Sequence, residues 1–506
     1  MQNTKNKIFI IFAKKMKPIR IFLFVLLVLA GLSILMIFFP KDGIKINDDI
    51  TLQFETWDEF LNPVKQKDIS EILANNQIVE DSIDIVDTIV DNTDTAYIDS
   101  MQIVYTPIQI DVDSTLQKIE FPKNKDTLLY SFYRQLAEVQ NKHGKIHIIH
   151  YGDSQIEVDR MTSFIRYKMQ RTFGGYGCGY HSGIQAFDFT EPLIVKYSDN
   201  WHRYFLFPHK DSLVTHRRFG INYFFTTFKA LDDTTKDEIN ASIQFANSPT
   251  AYSNVKYFTH LSIYIGNVTS DLNIKIFEDE ALINEKVISP KEGLQIIGFD
   301  FEHSPKNIKI EYSSVQSPEI YGYVFDTPSG VFVDNMPVRG SGGTFFGGFN
   351  FSLAAQIYSS LNTRLILLQF GGNAVSKDTN YIKNYIHYFS KQLGYLHIMA
   401  PKAQIIVIGP ADMSEKKKNS YVTRSTLPFL IKKLKEAALK NDCAFWNMQE
   451  AMGGENSMPS WVFHNPPLAE KDFIHFTPQG AKIVAMMFYK SLMYDYNKFI
   501  NSQITK

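Results

Sequence analysis

Lys145–Tyr151 (KIHIIHY), continued without a break by Gly152-Asp153-Ser154-Gln155, is the stretch on which the fold turns. The apolar run reads as a short buried strand, and the residues from about Ile156 to Phe173 read as a helix. A glycine-rich segment, GGYGCGYHSG, closes this unit. Much further along, Arg364–Phe370 (RLILLQF) and Gln404–Ile408 (QIIVI) have the same buried look. Helical patterns over residues 377–398 and 421–441 separate and follow them. Cys443–Met448 (CAFWNM) adds a further strand and Pro478–Tyr496 a closing helix. Strand alternating with helix predicts an α/β domain with a parallel sheet covered on both faces.

Residues 190–330 break that rhythm. HLSIYIG, LNIKIFED, LQIIGFDF, NIKIEYSS and IYGYVFD follow one another with turn residues and no helix between them. This predicts an all-β sandwich inserted into the α/β domain. The α/β domain is then split into residues 122–189 and 331–500.

The remainder of the 506-residue chain is set apart by charge. Residues 1–40 carry six basic residues and no acid, whereas residues 41–120 carry 18 acids against 5 lysines. Ile21–Pro40 (IFLFVLLVLAGLSILMIFFP) has no charge, and at about 1.5 Å per residue it matches a hydrocarbon core of about 30 Å. The expected order is a basic cytoplasmic tail (1–20), a transmembrane anchor (21–40) and an acidic linker (41–121) that repels itself. A cleaved signal peptide would have a shorter apolar run and a small-residue cleavage site, and here the run ends FFPKDG. The positive flank places everything after the anchor outside the cytoplasmic membrane. A net charge of −1 gives no nucleic-acid footprint. Cys178 and Cys443 are too few for a disulfide framework or a thiolate metal site, and their pairing is open. No metal or cofactor is expected.

Four short motifs carry chemistry. Ser154 sits on a strand-to-helix turn, where backbone N–H groups favour negative charge, although Asp and Ser there also suit an N-cap. Asp472-Phe473-Ile474-His475 puts an aspartate three residues before a histidine, which it can orient for proton transfer. Gly371-Gly372-Asn373 follows the strand RLILLQF, and its amide can donate to an oxyanion or simply form a turn. Gly340, in VRGSGG, offers a backbone N–H for the same purpose.

Taken together, Ser154, Gly340, Asn373 and His475 occur in the order that resembles the SGNH hydrolase (GDSL-type esterase) superfamily. The resemblance implies a flavodoxin-like doubly wound sheet. It also implies Ser154 as nucleophile, His475 as base and Asp472 as its partner. The oxyanion hole would be Ser154 N–H, Gly340 N–H and Asn373. Gln155 and Ala374 depart from residues common in that family. The stretch YGDSQIEVDRMTSFIRYKMQRTFGGYGCGY is similar to the peptidoglycan O-acetylesterase branch, with its GDS-H/Q start and FG-x-x-G-x-G-aromatic segment. The implied function is a membrane-anchored extracytoplasmic esterase removing O-acetyl groups from an envelope glycan, the inserted sandwich being carbohydrate-binding-like. A glycan O-acetyltransferase with the same triad, or a catalytically idle glycan-binding protein, are the alternatives. Protease added to spheroplasts is expected to remove the folded domain; its complete protection would reverse the predicted topology.

Overall fold

The computed structural model describes residues 17–40, 44–46, 66–78, 105–141, 144–187, 191–375, 378–417 and 420–505, with isolated positions between 51 and 57. The chain divides into two compact units, Met1–Lys67 with Ser414–Val422, and Asp68–Met413 with Thr423–Lys506. The first contains α1 (Pro18–Phe38), a helix long and apolar enough to cross a membrane, with none of its residues buried. It starts three residues before the apolar run because Pro18 occupies the first turn, where a missing N–H costs nothing. It stops just ahead of Pro40.

In the second unit, five parallel strands form the central sheet. They are β1 (Lys145–Gly152), β2 (Gly330–Pro337), β3 (Thr363–Gln369), β4 (Gln404–Ile408) and β5 (Ala444–Trp446), in the order β2-β1-β3-β4-β5. The connections contain α2 (Thr162–Phe173), α3 (Phe351–Ser360), α4 (Thr379–Met399) and α5 (Leu427–Lys440), and α6 (Pro478–Ile504) closes the chain. Seven of the eight residues of β1 are buried, as a strand covered on both faces requires. Its two histidines bond sideways to the neighbouring strands. His147 Nδ1 lies 2.8 Å from Asp334 Oδ2 on β2, and His150 Nε2 lies 3.1 Å from Gln369 Oε1 on β3. Burial pulls the His150 imidazole down to about 4, so it is neutral in this contact.

The connection from β1 to β2 also carries two antiparallel sheets. One orders the strands 281–288, 272–278, 307–314, 239–247 and 193–197. The other orders 291–300, 260–268, 319–326, 224–227 and 202–205, with Gly179–His181 pairing on 319–326. Ile243, Phe245, Ile274 and Ile310 from the first meet Ile263, Ile265, Tyr323 and Phe325 from the second in a shared apolar core. The strand Glu319–Asp326 is buried at every position. Its other face belongs with Tyr180, Tyr204, Phe224 and Tyr264 to a second cluster that includes Tyr151, Phe346, Ile357 and Tyr358 of the α/β layer. Tyr151 Oη donates to the carbonyl of Ile221 at 2.8 Å across this boundary.

Part of the stretch expected to be the acidic linker is packed. Residues 79–104 lie outside the described residues. Residues 105–121 are held down: Ile108 exchanges two 2.7 Å hydrogen bonds with the Asn497 side chain, and Glu120 forms an antiparallel bridge with Phe445. That bridge pairs the otherwise open edge of β5. Cys178 and Cys443 are separate buried thiols.

Because the strand Glu319–Asp326 is buried on both faces, between its sister sheet and the α/β layer, removing the antiparallel pair strips the α/β layer of its cover. Replacing residues 190–330 by a short linker is expected to give an aggregating chain without a cooperative thermal transition. A folded remnant with a sharp melt would show that the two layers are independent.

Candidate active site

Each parallel strand delivers its following loop to the same edge of the sheet, and the sequence-predicted residues lie on those loops. Ser154 opens a 3-10 turn, Ser154–Asp159, directly after β1. The cap of that turn is Asp153, whose Oδ1 accepts from the Gln155 N–H at 3.0 Å. The serine hydroxyl is therefore free for another partner. Its Oγ lies 2.8 Å from His475 Nε2, and His475 Nδ1 lies 2.6 Å from Asp472 Oδ2.

Asp472 sits where its other oxygen accepts the backbone N–H groups of Ile474, at 2.9 Å, and His475, at 3.0 Å. Burial raises its carboxyl, but the hydrogen bonds from the His475 ring and these two amides outweigh it and hold it below the usual aspartate value. An ionised Asp472 only accepts, so Nδ1 carries the imidazole proton and Nε2 receives the Ser154 hydroxyl.

Asn373 follows β3 on a turn that Gly371 enters with φ 124°, a conformation glycine allows at low cost. Its amide donates to Asp153 Oδ2 at 3.0 Å and to the Ser341 carbonyl at 3.1 Å. Both contacts bind it to the loops after β1 and β2. Burial pushes the Asp153 carboxyl up to about 6, against the pull of the Gln155 amide, His475 and Asn373.

Ser154, Asn373 and His475 line one cavity of about 290 Å³ with Gln155, Phe370, Pro410, Met413, Arg424, Met448 and Ile474 among its other walls. Asp472 reaches it only through His475. Gly340 is exposed, has φ 72° and does not line the cavity; it adjoins the site through Ser341.

Sequence reasoning missed the supports. Gln155 Nε2 donates to the Ile474 carbonyl at 2.5 Å, tying the serine turn to the histidine loop across more than 300 residues. Val158 and Asp159 both adopt positive φ, 57° and 59°, which is costly for a β-branched side chain. Two bidentate ion pairs hold this turn. Glu157 accepts from Arg339 at 2.6 and 2.7 Å, and Asp159 accepts from Arg166 at 2.6 and 3.1 Å. The only sequence signal was the pair of acids after GDSQ; the partner of Asp159 is seven residues on, and that of Glu157 is 182 residues away.

The fold that carries this arrangement is SGNH-hydrolase-like. A peptidoglycan O-acetylesterase structure aligns with a TM-score of 0.57 at 18% identity, over 74% of this chain and 96% of that one. A putative GDSL-like lipase from Parabacteroides merdae aligns at 12% identity and TM-score 0.24, over 32% of this chain and 74% of its own. An acetyl xylan esterase aligns at 13% and 0.25, over 32% and 81%. No family model matches the chain, and no curated protein matches it in sequence.

If Gln155 positions the histidine loop, Gln155→Ala should lower turnover about 10–100-fold with little change in KM, since small misplacements of a proton-transfer group are amplified in rate. Stability should fall by only about 1 kcal/mol, the net worth of one hydrogen bond. Unaltered turnover in a folded variant would remove Gln155 from the site.

Proposed function

We propose that this chain is a membrane-anchored, extracytoplasmic serine esterase that removes O-acetyl groups from a cell-envelope glycan. The observation that carries the reading is the aligned Ser154–His475–Asp472 chain opening into a cavity on an SGNH-hydrolase-like fold. The β2-β1-β3-β4-β5 order supports a flavodoxin-like, doubly wound sheet. In this reading residues 122–189 and 331–500 form the catalytic domain, and residues 190–330 are a carbohydrate-binding-like sandwich. The basic flank before α1 puts the N-terminus in the cytoplasm.

Ser154 Oγ attacks the acetyl carbonyl carbon while its proton passes to His475 Nε2. Asp472 holds the imidazole in the tautomer that accepts, and stabilises the imidazolium. The oxyanion is met by the Ser154 N–H, unsatisfied because it begins a turn, and by Asn373, which exchanges the Ser341 carbonyl for it. Gly340 serves as a third donor only if the loop after β2 shifts toward the cavity. Collapse of the intermediate passes the proton from His475 to the sugar oxygen, which leaves as an alcohol. Water, deprotonated by His475, then attacks the acyl-serine and releases acetate.

The detergent-solubilised chain should release acetate from O-acetylated wall polymers. Ser154→Ala and Asp472→Asn are each expected to cost about 10⁴ in turnover, and Asn373→Ala about 10²–10³ with KM nearly constant. An acylating probe that labels a residue other than Ser154 would overturn the assignment.

A further inference from the structure

Among the described residues that line the cavity, Arg424 is the charged one that the triad and its supports leave without a task. Three other arginines of this unit are each spent on a carboxylate: Arg166 on Asp159, Arg218 on Glu319 and Arg339 on Glu157. Arg424 lines the cavity of Ser154 and His475, yet its guanidinium has no hydrogen bond, ion pair or ring contact among the described residues. Its backbone, by contrast, is fixed. Its N–H donates to the Met413 carbonyl at 2.8 Å, and its carbonyl accepts from Leu427 N–H at 2.9 Å at the start of α5. Next to it, Thr423 Oγ1 donates at 2.6 Å to the buried Asp412, which also accepts from Gln449 and Met458. A rigid backbone therefore presents a free planar fork to the substrate space.

The other charged residues of the lining are His475, engaged with Ser154 and Asp472, and Asp153, engaged with Gln155 and Asn373. Among the described residues, the cavity thus offers a substrate one unanswered charge, and it is positive. A guanidinium matches a carboxylate with two parallel N–H donors, and a single such group suits a monoanion better than a phosphate dianion. We propose that Arg424 binds a carboxylate carried by the O-acetylated sugar, so that the substrate is an acidic glycan. This rests on the esterase reading above. The carboxylate has two chemical sources, a uronic acid or a free lactyl ether on an amino sugar.

The test compares acetate release by the detergent-solubilised full chain from three substrates. These are an O-acetylated polyuronide, O-acetylated peptidoglycan strands freed of stem peptides, and neutral O-acetylated xylan. At least one acidic substrate should exceed xylan in kcat/KM, and its identity names the source of the carboxylate. That preference should fall about tenfold or more in Arg424→Gln, recover only partly in Arg424→Lys, and shrink with added salt. Amidating the substrate's carboxylates should abolish it with the wild-type chain, a readout independent of any variant's folding. Acetate release with no acidic preference, or an Arg424→Gln loss equal on all three substrates, overturns the role of Arg424 and leaves the esterase intact. No acetate from any substrate, nor from p-nitrophenyl acetate, overturns both.

Discussion

A parallel sheet cannot be built from hairpins, and the rest of this structure depends on that constraint. Each strand must be regained by a crossover, so every loop that leaves a carboxyl end emerges on one edge. Ser154 after β1, Ser341 after β2, Asn373 after β3, the Pro410–Met413 segment after β4 and Met448 after β5 converge there for that reason. The histidine loop, which follows no strand of the sheet, has to be brought in separately. Its place is fixed by Asp472 bonding its own backbone and by Gln155 reaching the Ile474 carbonyl.

The crossover from β1 to β2 shows how much a connection can hold. It contains α2 and both antiparallel sheets, and it returns to lie beside the strand it left. Between the six-stranded sheet and the α/β layer lie tyrosines whose rings fill the apolar cluster while their hydroxyls find partners. Tyr180 Oη donates to the Tyr321 carbonyl at 2.5 Å, and the Tyr151 and Tyr358 hydroxyls lie 2.8 Å apart. The aromatic richness of the sequence is thus in large part core, and the inserted layer is bound to the α/β layer by packing rather than by a hinge.

Electrostatics near Ser154 follows the same economy of partners. Asp472 is stabilised as an anion by three N–H donors, while Asp153, one residue from the nucleophile, is buried and pushed toward the neutral form. Two carboxyls close to one histidine therefore have different characters. The one on the Nδ1 side orients the ring, and the other caps a turn and anchors Asn373.

Much of this was legible in the sequence. The continuous apolar runs of β1, β3 and β4 announce strands buried on both faces, because nothing else hides that many branched side chains in so few residues. The apolar twenty residues behind a basic flank announce α1 by length and charge alone. Ser154, Asn373, Asp472 and His475 were identifiable because each stands at the end of a recognisable element, and three of them, Ser154, Asp472 and His475, meet within hydrogen-bonding distance. What the sequence could not supply were relations between residues far apart in the chain. The Glu157–Arg339 clamp, the Gln155–Ile474 tie and the unpaired state of Arg424 depend on which side chains finish beside one another. So does the position of Gly340, which a motif places at the site and the path of the loop leaves outside the cavity lining. Periodicity is a local property and survives in one dimension; partnership is set by packing and exists only once the chain has folded.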